Sequence, residues 1–129
     1  MPRTGDPNVI LVVEDDDSMR EAIENLLGVA GFSTLVYESA EAMLAEETRE
    51  RPLCVISDLN LPAMSGLDLL TELHQRSWQV PVIIITAYES ESTREEAARR
   101  GAIAYLAKPF PSIALLTAIK TINARAMPG

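Results

Sequence analysis

Five short apolar runs punctuate the chain, at Val9–Val13, Ser33–Tyr37, Leu53–Ser57, Val82–Thr86 and Ile103–Leu106. Three are nearly continuous in β-branched residues and none alternates cleanly with polar ones, which is the pattern of strands covered on both faces.

Between the runs the period changes to that of helices. Met19, Ile23, Leu26, Leu27 and Ala30 form one apolar stripe, capped by Asp17 or Ser18 and stopped by Gly31. Ser39 opens "SAEAMLAEE", and Ser65 with Asp68 makes a capping-box start to a helix with Leu67, Leu70 and Leu73 on one face. Ser92 with Glu95 starts "STREEAARR", which Gly101 ends; after Pro111, the residues Ile113, Leu116, Ile119 and Ile122 mark a last helix. Strand and helix thus alternate five times, with connections that suit right-handed crossovers. The predicted fold is α/β, a doubly wound five-stranded parallel sheet with helices on both faces. Ligands of such sheets bind outside the carboxyl ends of the strands, where strand order reverses. The domain is expected over residues 8–124, with residues 1–7 and 125–129 as loose tails, because Pro2, Pro7 and Pro128 disfavour regular structure.

Composition narrows the setting. A chain of 129 residues, 47% hydrophobic, suits one domain with a real core. A net charge of −8 argues against a direct nucleic-acid partner, since duplex binding rests on Lys and Arg neutralising phosphates. Cys54 is the single cysteine, so no internal disulfide can form, and a buried thiol is expected. No apolar run reaches the roughly 18 residues of a membrane span, and the first residues lack the apolar middle of a secretory signal. The expected location is cytoplasmic, without a membrane partner.

The strand ends carry the chemistry. The first is followed by Glu14, Asp15, Asp16 and Asp17, the third by Asp58, the fourth ends in Thr86, and the fifth leads to Lys108. Two carboxylates about 4 Å apart repel by roughly 4 kcal/mol at an effective dielectric near 20, so a cation is expected there. Oxygen ligands without His or Cys suit Mg²⁺, which keeps several waters and takes other oxygens from a phosphate. Lys108 and the Thr86 hydroxyl supply a cation and a donor for new phosphoryl charge, and Asp58 can serve as the nucleophile. Glu14 and Asp15 then hold the metal, helped by a backbone carbonyl just after Asp58. Asp16 and Asp17 read as ordinary acids at a helix start. His74 reads as solvent-facing, and Trp78 as packing at a loop.

Glu14–Asp15, Asp58 in "DLNLPAMSGLDLL", Thr86–Ala87 and Lys108–Pro109 in "GAIAYLAKPF", in that order, resemble a response-regulator receiver domain, the phosphoacceptor module of two-component signalling. The resemblance spans about Asn8 to Ala124. It implies strand order 2-1-3-4-5 in a flavodoxin-like (βα)5 fold. It also implies phosphorylation of Asp58 by the phosphohistidine of a sensor histidine kinase or histidine phosphotransfer protein. Mg²⁺, with Mn²⁺ as a substitute, is then held by Glu14, Asp15, Asp58 and the main-chain carbonyl of Asn60, while Thr86 and Lys108 contact the phosphoryl oxygens. Lys108–Pro109 is expected to be cis, the minority state of X–Pro bonds. Thr86 and Tyr105 form the expected switch, the ring turning inward to remodel the face of helix four, strand five and helix five. That face is expected to bind a downstream output protein or output domain, or to form a homodimer on phosphorylation. Asn60 and Tyr88 fall where the family tunes phosphate lifetime, and the Tyr88 ring is expected to shield the acyl phosphate. Glu14 departs from the commoner Asp.

Three other functions compete with this one. Small Mg²⁺-dependent phosphatases that form an aspartyl phosphate place a second Asp two residues after the nucleophile; Asn60 stands there instead. Self-catalysed phosphotransfer and dephosphorylation are therefore expected, without enzymatic turnover of external substrates. A phosphorylation-independent interaction domain would not need the complete set of site residues. A DNA-binding factor lacks its reader after helix five, so the chain is expected to be either a stand-alone receiver or one whose output domain lies outside it.

Overall fold

A computed structural model describes residues 8–46 and 52–126. Strands and helices alternate throughout: β1 (Val9–Val13), α1 (Asp17–Val29), β2 (Ser33–Tyr37), α2 (Ala40–Ala45), β3 (Cys54–Asp58), α3 (Gly66–Gln75), β4 (Val82–Thr86), α4 (Glu91–Arg99), β5 (Ala104–Ala107) and α5 (Ser112–Ala126). The strands form one parallel sheet in the order β2-β1-β3-β4-β5. Strand order therefore reverses between β1 and β3, and their carboxyl ends flank the crevice where such sheets bind ligands.

The unbroken apolar runs follow from two buried faces. Alternate side chains of a strand point to opposite sides. Accordingly Leu11, Val13, Val55 and Ile84 pack with Met43, Leu69, Leu70, Leu73 and Ala97 of α2, α3 and α4. Ile10, Val12, Ile56, Ile83 and Ile85 pack with Ile23, Leu27, Leu115, Ile119 and Ile122 of α1 and α5. Central strands β1, β3 and β4 are buried at every position, whereas β5 at the edge is half-buried throughout.

Several boundaries differ from expectation. Asp16, and neither Asp17 nor Ser18, caps α1: its side chain accepts from Met19 N at 3.0 Å, satisfying an orphan donor of the first turn. Likewise Ser90 rather than Ser92 caps α4, accepting from Thr93 N at 3.1 Å. The serines alternate in "ESEST", and Ser90 is the one whose extended backbone, at φ −146° and ψ 154°, fits a cap. On α5, Leu115 replaces Ile113 in the buried stripe, and Ile113 stands 64% exposed. That places the stripe at Leu115, Ile119 and Ile122, spaced four and three apart as one helical face requires. Strands β3 and β5 each sit one residue later than read, and α5 continues through Ala126, past the expected boundary at 124. The predicted tail 1–7 and residues 127–129 lie outside the described residues. Ser39 caps α2, and the Ser65–Asp68 capping box forms in full. Gly31 and Gly101, just past α1 and α4, adopt φ of 97° and 101°, which only glycine takes without cost.

Candidate functional site

At the end of β1 the ladder runs one step further, with Glu14 N donating to Tyr37 O at 3.0 Å. This turns the Glu14 side chain inward, where it is fully buried. Its Oε2 accepts from Asp16 N at 3.2 Å, and its Oε1 accepts from Lys108 Nζ at 2.7 Å. The same ammonium donates to Asp58 Oδ2 at 3.0 Å. Asp58 closes β3 and is itself buried; its Oδ1 accepts from Asn60 N at 3.0 Å. One cation thus bridges two buried carboxylates drawn from two neighbouring strands.

Asp15 is exposed beside them, and one carboxylate oxygen from each of Glu14, Asp15 and Asp58 can lie within 4.8 Å of the others. The donor set is oxygen only, so it fits a hard divalent cation and offers nothing to a thiolate- or imidazole-seeking metal. Burial, reinforced by the neighbouring Asp58, pushes the Glu14 carboxyl up to about 7 against the opposing pull of Lys108 and Asp16 N. Burial pulls the Lys108 ammonium down, but its bonds to Glu14 and Asp58 outweigh this and leave it above its ordinary value.

Thr86 closes β4 and is fully buried. Its Oγ1 accepts from Asn60 Nδ2 and from Tyr88 N, each at 3.0 Å. A hydroxyl has two acceptor lone pairs and one proton, so with both lone pairs taken what remains to Thr86 is to donate. Lys108 N donates to Thr86 O at 2.7 Å, tying the last strand to the fourth beside the site, and the Lys108–Pro109 bond is cis as expected.

The residues singled out from the sequence do not all converge. Glu14, Asp15, Asp58, Asn60, Thr86 and Lys108 meet at one sheet edge. Tyr88 joins them through its main-chain N–H, while the ring expected to shield the acceptor is 76% exposed. Tyr105 lies one strand over, its hydroxyl buried without a hydrogen-bond partner among the described residues and its ring 4.7 Å from the Arg94 guanidinium. The acidic run divides: Asp16 caps α1 and Asp17 pairs with Arg20.

Three contacts at the site went unread in the sequence. Arg20 Nη1 donates to the Glu14 carbonyl at 3.0 Å, bracing the turn that carries Glu14; its place six residues on, one helical turn past Asp17, was the available signal. Asn60 was read for its main-chain carbonyl and for tuning phosphate lifetime, but not for the bond its side chain makes, Nδ2 donating to Thr86 Oγ1. Gly66, read only as part of a capping box, packs against the acceptor's own backbone: a Cβ there would lie 2.6 Å from Asp58 O. Among the described residues no helix is long and apolar enough to cross a membrane, and His74 is exposed while Trp78 packs against the core, as read.

A family model described as the response regulator receiver domain matches residues 10–120. Response regulator protein FleR of Pseudomonas aeruginosa is 40% identical over 120 residues, covering 93% of this chain and 25% of FleR. Nodulation protein W of Bradyrhizobium diazoefficiens is 35% identical over 117 residues, covering 91% of this chain and 52% of that protein. The chain therefore spans about a quarter to a half of the length of these relatives. Among solved structures, FixJ-N superposes with a TM-score of 0.85 at 28% identity, covering 96% of this chain and 99% of FixJ-N. A CheY-like receiver domain protein from Methanospirillum hungatei superposes at 0.84 with 27% identity, covering 93% of this chain and 97% of that one.

Proposed function

The chain belongs to the response-regulator receiver family, and from that premise we propose that it is a phosphoacceptor switch in which Asp58 takes a phosphoryl group from a partner's phosphohistidine. The observation that carries this reading is the Lys108 ammonium held between the buried carboxylates of Glu14 and Asp58. Asp58 is thereby kept as a desolvated carboxylate beside a fixed positive charge, which suits attack on phosphorus.

In the transfer, a carboxylate oxygen of Asp58 forms a bond to phosphorus while the bond from phosphorus to the donor's imidazole nitrogen breaks, and the imidazole leaves with that electron pair. Lys108 offsets the charge on the phosphoryl oxygens. Thr86, its lone pairs already occupied, turns its remaining proton toward them. Glu14, Asp15 and Asp58, with the main-chain carbonyl of Asn60, are the residues that would hold Mg²⁺ or Mn²⁺. When bound, the ion supplies positive charge that balances the surplus of carboxylate and orients phosphoryl oxygen. Asn60 and Tyr88 tune how long the acyl phosphate lasts, Asn60 through both its amides. Tyr88→Ala is expected to shorten that lifetime if its ring closes over the phosphorylated site.

Phosphotransfer and dephosphorylation are self-catalysed on this reading, and the module is not a turnover enzyme. Its partners are a sensor histidine kinase or histidine phosphotransfer protein upstream, and an output protein or output domain that meets the α4–β5–α5 face. That face also serves for homodimerisation on phosphorylation, and the setting is cytoplasmic.

Intact mass after incubation with a small-molecule phosphoryl donor and Mg²⁺ tests the proposal. One added phosphate in the wild type and none in Asp58→Asn is the expected result. No gain in the wild type, or equal gain in both, overturns it, as does sustained turnover of phosphate monoesters.

A further inference from the structure

Arg20 lies near the start of α1, and its side chain is only 17% exposed. The guanidinium forks: Nη1 donates to Glu14 O at 3.0 Å, and Nη2 donates to the Asp17 carboxylate at 2.5 Å. Glu14 O belongs to the peptide that joins Glu14 to Asp15, and the atoms of a peptide from one Cα to the next share a plane. Fixing that oxygen therefore fixes the plane from which both side chains spring. On one side of it Glu14 N donates to Tyr37 O; on the other, Asp16 N donates to Glu14 Oε2. Of these three ties, the one from Arg20 acts on the peptide that the two residues share.

We propose that Arg20 is a positioning residue of the cation site, holding the Glu14–Asp15 peptide so that both carboxylates meet one ion together with Asp58. The ion itself rests on the receiver reading; the role of Arg20 is added to it. Two effects of this side chain have opposite signs. As a cation near three carboxylates it repels a divalent ion, so by charge alone its removal would tighten ion binding. That repulsion is blunted because the charge is already paired with Asp17 in an exposed setting. The hydrogen bond to Glu14 O acts instead on ligand geometry, in which small hard cations are exacting. Geometry outweighs charge here, and removal of Arg20 weakens the site.

The test titrates Mn²⁺ into the whole chain without any phosphoryl donor and reads the free ion by electron paramagnetic resonance. Arg20→Ala is expected to raise the dissociation constant roughly three- to tenfold, the worth of one net hydrogen bond. Arg20→Lys, which keeps a charged donor, recovers most of the affinity. Asp17→Asn leaves the bond to Glu14 O in place and changes the affinity by less than about twofold, as loss of an exposed ion pair should. A merely structural Arg20 would lower the urea midpoint in EDTA and leave the ion affinity of the folded chain alone. Should Arg20→Ala fail to fold, Arg20→Met, which keeps the apolar stem of the side chain, gives the same reading. Affinity in Arg20→Ala equal to or tighter than wild type overturns the proposal, as does a loss in Asp17→Asn as large as that in Arg20→Ala. A wild type that takes up no Mn²⁺ overturns the cation site as well, whereas normal uptake by the wild type and by Arg20→Ala alike overturns the role of Arg20 alone.

Discussion

Lys108 Nζ lies 3.0 Å from Asp58 Oδ2, although the two residues are 50 positions apart in the chain. The same nitrogen is shared with Glu14, so a single ammonium serves two buried carboxylates, with Asp15 beside them. The site is therefore short of positive charge until a cation or a proton arrives.

A pH dependence follows from that shortage. In the folded chain Glu14 titrates near 7, above its ordinary value of 4.5, because it is buried. Between those values the folded state holds a proton that the unfolded state has released, so stability falls as pH rises through 7. In EDTA the urea midpoint is expected to be higher at pH 5.5 than at pH 8, and Glu14→Gln is expected to flatten the difference. Added Mg²⁺ should recover stability chiefly at the higher pH. A midpoint that is level or rising with pH in EDTA would show Glu14 to be ionised throughout.

Two glycines are expected to respond in opposite ways to alanine. At Gly66 the new methyl would meet Asp58 O at 2.6 Å, and backbone cannot step aside as a flexible side chain can. Overpacking of this kind costs about 1–3 kcal/mol, and it should also slow phosphate gain at Asp58. Gly28, inside α1, has nothing within 4 Å of the added carbon. Gly28→Ala should stabilise by about 0.5–1 kcal/mol through helix propensity. Paired urea titrations read both.

Removing the Tyr105 hydroxyl should not weaken the fold. Since that oxygen is buried without a partner among the described residues, Tyr105→Phe deletes an unpaired polar group and little packing. Equal stability or a gain of about 1 kcal/mol is expected by chemical denaturation. A loss of similar size would mean that the hydroxyl has found a partner in solution.

Cys54 provides a built-in probe of opening. Burial at the start of β3 pushes its thiol up to about 12, so almost no thiolate exists at pH 8. Labelling by a disulfide reagent should be slow under native conditions and rapid in urea, tracking exposure of the sheet. Prompt native labelling would contradict the burial described.

The unbroken runs of β1, β3 and β4 were legible because a strand covered on both sides has no polar alternation to confuse it, and their ends then exposed Glu14, Asp58 and Thr86 to inspection. Helix starts were less legible. "EDDDS" and "ESEST" each offer several side chains able to cap, and backbone geometry at Asp16 and Ser90 makes the choice. Ile113 misled because α5 has apolar residues on more than one face, and the face is fixed by the sheet it meets. The contacts of Arg20, Asn60 and Gly66 were hidden for a different reason: each depends on where another segment passes, which no local pattern encodes.

Glu14 and Lys108 are 94 positions apart and come within 2.7 Å only when β1, β3 and β5 stand in one sheet. An unfolded or half-assembled chain has the same aspartate but neither its cation nor its desolvated setting. On the phosphoacceptor reading proposed above, capacity to receive the phosphoryl group certifies that the molecule is correctly built, and a misfolded copy is silent by default, with no separate inspection needed to keep it from speaking.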